Sequence, residues 1–142
     1  MSTRRHWTNI KRGQAAVEFA LVLPFLMVML VGIIEFGRAW NEHQVITEAA
    51  RAAARKAAVW DPAVTRDTVL NIAKATLGRA GINPTSAVID PDGGDGWDGD
   101  SNTSFTLSID LPYQFTFFGP LVNWATGKSN ITLRTSVTMR NE

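Results

Sequence analysis

The sequence predicts an α+β protein: a long N-terminal helix, a second helix, and a small antiparallel sheet of about three strands. Three observations carry that expectation. Residues 15–34 are almost wholly apolar, and helical spacing continues beyond them toward residue 60. From Ala87 onward the apolar period changes from 3.6 to 2. Between these stretches stand Pro62, Gly81 and Pro84, which punctuate helices. A chain of 142 residues suits one modest domain with one appended element.

Composition narrows the function classes. The chain is 45% hydrophobic and 19% charged, with a formal net charge of +1, and that near-neutrality hides a segregation. Arg4, Arg5, Lys11 and Arg12 precede the apolar run with no acid among them. No Lys or Arg lies between Arg79 and Lys128, where Asp90, Asp92, Asp95, Asp98, Asp100 and Asp110 all fall. A basic start and an acidic middle point to two environments rather than a nucleic-acid-binding face, so no nucleic-acid partner is expected. The absence of cysteine excludes disulfides, thiol catalysis and thiolate metal sites.

The run FALVLPFLMVMLVGII, Phe19 to Ile34, has no charged side chain. Extended back to Ala15 it gives about 20 residues, enough at ~1.5 Å each to cross a ~30 Å hydrocarbon layer. A buried core helix is the alternative, but one small domain could hardly cover it on every side. A cleaved secretory signal is disfavoured because Glu35 and Arg38 stand where small cleavage-site residues belong. The basic start then keeps the N-terminus cytoplasmic and exports the bulk of the chain. Trp7 and Trp40 bracket the span, either at its two interfaces or as ordinary aromatics. Pro24 is expected to bend the helix or loosen one turn.

Glu18 sits just inside this run. A carboxylate at the bilayer centre costs up to ~3 kcal/mol, and less near an interface. It can snorkel, become protonated, or meet a cation. If the chain were cut between Gly13 and Gln14, the new α-ammonium of a neighbouring copy could meet Glu18 and fix the axial register of two helices.

A short basic leader, Gly13, then four residues to Glu18 and Phe19 ahead of an apolar run resembles a type IV prepilin processing site. The longer string GQAAVEFALVLPFLMVMLVGIIEFGRAW and the following EAARAAARKAAV resemble the TadE-like minor pilins of tight-adherence (Flp) pilus systems. At the C-terminus, ITLRTSVTMRNE is similar to that family's closing strand. The resemblance covers residues 12–59 and 130–141. It implies that Gly13 ends a leader removed by a prepilin peptidase, that Gln14 becomes the mature N-terminus, and that Glu18 sets register. It implies an assembly protein rather than an enzyme. The implied partners are other pilins contacted through the N-terminal helix, an inner-membrane assembly platform and the lipid bilayer. The division expected is leader 1–13, transmembrane helix 14–36, exported continuation 37–60 and exported head 61–142. An uncleaved single-pass tether carrying a binding or scaffold domain is the alternative.

Beyond the span, Glu35 and Arg38 are three apart and can pair on one helix face at the membrane edge. Val45, Ile46, Ala49, Ala50, Ala53 and Ala57 follow at helical spacing. Their small side chains permit close approach of this domain's own sheet or of another pilin helix. Trp60-Asp61-Pro62 should end the helix. A second helix fits 64–80, capped by Asp61 or Thr65, with Val69, Ile72, Ala73, Leu77 and Ala80 as its apolar stripe and Gly81 as its C-terminal cap.

Ala87 to Asp90 is a short strand candidate. Phe105, Leu107, Ile109 and Leu111 alternate with polar residues, as do Ile131, Leu133, Thr135, Val137 and Met139. The intervening PYQFTFFGPLVNWATGKSN is too irregular to assign; it would cover the sheet edge or present a contact surface. In DPDGGDGWDGDSN, Asp98, Asp100 and Asn102 have the spacing of a calcium loop's first ligands. Thr103 replaces that loop's glycine and Ile109 its bidentate glutamate, so the loop is either an irregular calcium site or a solvated turn. No nucleophile–base set, phosphate-binding glycine loop or metal cluster is present, and no enzyme activity or cofactor is expected.

Overall fold

The computed structural model describes residues 6–59, 63–92, 104–128 and 130–140. Its elements run α1 (His6–Ala58), α2 (Arg66–Arg79), β1 (Val88–Asp92), β2 (Ser104–Gln114), α3 (Gly119–Thr126) and β3 (Asn130–Arg140). The strands form one antiparallel sheet in the order β1-β2-β3. The expected α+β class, with its long helix, second helix and three strands, is what the chain adopts.

At ~1.5 Å per residue, the 53 residues of α1 reach about 80 Å. The helix runs uninterrupted through Pro24, which lacks only the N–H that would bond the Ala20 carbonyl. Among the described residues, the half of α1 that carries the apolar run is largely uncovered, with only its last turn near Gly32 meeting the head: Leu21 is 76% exposed and Phe25 68%. Its composition and length suffice for a membrane crossing, and none of its most apolar window is buried. A soluble protein's core helix would show the opposite.

The other half of α1 is the spine of the head. Ile46, Ala49, Ala50, Ala53 and Ala54 are fully buried, packed with Val69, Ala73 and Leu77 of α2 and Phe105, Leu107, Ile109 and Leu111 of β2. Alanines at this spacing form one flat stripe, which lets α2 and the sheet approach the helix backbone closely. Of the two partners the alanine stripe could serve, its own head occupies it. α1 ends at Ala58 with Arg55 and Lys56 in its last turn, where cations complement the helix dipole.

α2 begins two residues later than expected, because Thr65 is its N-cap. The Thr65 hydroxyl accepts the Thr68 N–H, and the Thr68 side chain reaches back to the Thr65 N–H, a reciprocal capping box. At the other end, the Ile82 N–H reaches the Leu77 carbonyl at 3.0 Å and the Gly81 N–H the Gly78 carbonyl at 3.1 Å. Gly81 has φ +80°, so this is a Schellman stop. Ala80, assigned to the apolar stripe, is exposed instead, because it is the C-cap residue and has already turned away from the core.

β2 alternates strictly, with Phe105, Leu107, Ile109, Leu111 and Tyr113 inward. Its outer face pairs with β3 in register: Thr106 with Thr138, Ser108 with Ser136 and Asp110 with Arg134. The segment between β2 and β3 is not wholly irregular. It contains α3, with Pro120 in the first turn and Gly127 (φ +71°) closing the helix.

Candidate functional site

Two places on α1 hold the residues singled out by sequence. Near its start, Gly13 and Gln14 lie within the helix. The Gln14 amide donates to a Glu18 carboxylate oxygen at 3.0 Å, and both side chains are exposed. Phe19 beside them is also exposed. A side chain placed at Gly13 would meet nothing within 4 Å, and its backbone is not left-handed. A glycine inside a helix costs stability relative to alanine. Among the described residues, no contact requires a glycine there.

The second place is the junction between α1 and the head. Glu35 is only 2% exposed. One carboxylate oxygen accepts the Thr116 N–H at 2.8 Å and the Tyr113 hydroxyl at 3.0 Å; the other accepts the Phe117 N–H at 3.2 Å. Tyr113 also contacts the Glu35 carbonyl at 3.3 Å. β2 ends at Gln114, so the amides of Thr116 and Phe117 have no strand partner on this side. Glu35 supplies one. It is a cap for the chain leaving the sheet, delivered from a different element.

Arg38 lies 3.9 Å from Glu35 and donates to the Thr116 hydroxyl. The i,i+3 pair is therefore present, but Arg38 is the most distant of the carboxylate's partners. Tyr113, Thr116 and Phe117 were not singled out from the sequence. One signal was available: Tyr113 continues the inward positions of β2, and a buried tyrosine hydroxyl needs a partner. Burial first, then the neighbouring Glu35, pushes the Tyr113 phenol up to about 12.

Below this clasp the Phe118 ring packs 3.8 Å from the position a Gly32 side chain would take. Between α1, α3 and β3 remains an apolar groove of about 460 Å³, lined by Phe36, Trp40, Phe115, Phe118, Val122 and Leu133 among others. Trp40 stacks on Phe36 at 6.2 Å within it. Among the described residues, no group of three His, Asp or Glu side chains could hold a metal ion. Asp98, Asp100 and Asn102, the calcium candidates, lie outside the described residues.

Residues 13–55 match the family model described as TadE-like protein. The matched span starts on Gly13, contains Glu18, Glu35 and Arg38, and stops just short of the end of α1. The similarity read over residues 130–141 lies outside it. No curated protein and no solved structure matches the chain.

Proposed function

We propose that this chain, TadE-like over residues 13–55, is a minor pilin (pseudopilin) of a tight-adherence, Flp-type pilus. It is inserted in the cytoplasmic membrane with its N-terminus inside and its head outside. A prepilin peptidase cuts between Gly13 and Gln14. The freed helix then packs among other pilin helices, at an inner-membrane platform, to start or stabilise the filament.

One observation carries this reading: α1 presents a long, largely uncovered apolar surface that begins, among the described residues, with a glycine whose added side chain would meet nothing and an acid paired only with a neutral amide. Cutting after Gly13 converts the Gln14 nitrogen from a helical amide to an α-ammonium. It removes the chain that precedes it and leaves 45 residues, Gln14 to Ala58, as the mature helix. Glu18 is one turn further on. Within one copy its partner is the neutral Gln14 side chain, which leaves its charge to be met by the ammonium of a neighbouring copy. In lipid, that pairing neutralises two charges that are costly apart, and so it favours one axial register over others.

The intact mass of the membrane-fraction protein tests the cut. Wild type should lack residues 1–13, and Gly13→Leu should retain them, although α1 tolerates the change. Glu18→Ala should be processed but absent from sheared filaments. A wild-type mass that still includes residues 1–13 in piliated cells would overturn the processing step and leave an uncleaved tether.

A further inference from the structure

We infer that the segment carrying α3 is a second membrane contact, lying in the outer-leaflet interface beside α1 with Phe117 and Trp124 against lipid. This rests on the reading of α1 as a membrane span, and the test below separates the two.

Depth comes first. The amides of Thr116 and Phe117 bind Glu35, and the Phe118 ring lies against Gly32. Residues 116–118 therefore sit at the axial level of residues 32–35. The uncharged run of α1 ends at Ile34, so at ~1.5 Å per residue this level is within about 5 Å of the hydrocarbon boundary. The head thus folds back down to the membrane rather than standing clear of it.

Exposure and charge name the occupant. Phe117 is 64% exposed and Trp124 85%, although both are large aromatics. α3 itself, GPLVNWAT, contains no charged residue. On α1 at the same level Ile33, Ile34 and Phe36 are also exposed, so the apolar surface of the span continues onto the head. Two exposed cations stand near this patch: Lys128 follows the Gly127 cap, and Arg38 is half-exposed beside Glu35, whose own carboxylate is buried under the amides of residues 116 and 117. Apolar aromatics below and cations above match acyl chains below and phosphates above. Tryptophan is the side chain most at home at that boundary.

Full-length protein in which Trp7, Trp40, Trp60 and Trp97 are replaced by Phe reports on Trp124 alone. It is reconstituted in vesicles of phosphatidylcholine and phosphatidylglycerol, with bromine placed either near the headgroup or deep in the acyl chain. The expected result is loss of Trp124 emission with shallow bromine, less loss with deep bromine, and little quenching by aqueous iodide. A water-like emission quenched by iodide and not by bromolipid would overturn the proposal. So would protection from iodide that disappears as protein is diluted into excess lipid, because that marks a second copy as the covering surface. A companion protein lacking all five native tryptophans and carrying Phe25→Trp reads the span itself. Deep-bromine quenching there, with none at Trp124, removes the α3 contact alone; no quenching at either site removes the span.

Discussion

At the scale of single residues, the junction turns on one carboxylate and one phenol. Glu35 takes in three hydrogen bonds from residues 113–117, and Tyr113 is closed over by the same contact. Tyr113 is the chain's only tyrosine, so its ionisation can be read directly from tyrosinate absorbance. Burial and the adjacent Glu35 raise its pKa to about 12, from an ordinary value of about 10. For an acid whose folded pKa is raised, the stabilisation is complete below the unfolded value and is lost as pH climbs through the folded one. The absorbance midpoint should therefore lie near 12 in the folded protein and near 10 in denaturant, and the clasp should weaken across that window. A folded midpoint near 10 would mean that Tyr113 is open to water and not held by Glu35. Asp110 and Arg134 offer the contrast. Arg134 holds the Asp110 carboxyl below its usual range, but across an exposed sheet face where solvent screens the pair, so its loss should matter little.

At the scale of elements, caps decide where helices stop, and Gly81 is the sharpest case. Its φ of +80° is one that L side chains rarely adopt, while an added side chain would meet nothing within 4 Å. Gly81→Ala should therefore cost about 1–2 kcal/mol through backbone strain alone, seen as a lower denaturant midpoint with unchanged cooperativity. This stop, the Thr65 cap and the alternation of β2 and β3 were legible because each depends on neighbours in sequence. α3 was not. It has eight residues and no side-chain cap bond, and its start follows an aromatic cluster rather than an apolar stripe. The clasp was hidden for a different reason. Glu35 lies 78 to 82 residues from its partners, and two of those partners are backbone amides, which have no signature in composition. Local reasoning finds Arg38 three residues away and cannot weigh it against an N–H delivered by a strand end. Gly13 shows the converse. The sequence marks it through resemblance, and the structure adds that no contact among the described residues explains it.

At the scale of the whole molecule, one half of α1 is largely uncovered and the other is built into the head, so the head cannot be separated from it cleanly. Ile46 to Ala54 of α1 form one wall of the head's core, so any movement of the helix carries the head with it. The clasp at Glu35 does a different job: it ties the loop after β2 down to the last turns of the apolar segment. The two attachments are separable in principle, because the core begins about three turns beyond Glu35. A fragment of residues 41–142 keeps the buried face of α1 and lacks both Glu35 and Gly32. It should fold, with β2 amides protected from hydrogen exchange as in the full chain. The amides of Thr116 and Phe117 should lose most of their protection, because water replaces a carboxylate that accepted both. Equal protection of those amides in the fragment and the full chain would show that the head holds its own loop. Loss of β2 protection would show instead that the core needs more of α1 than its alanine face. The first outcome would leave α3 placed by the head alone, so the membrane contact proposed for it would no longer follow from the clasp.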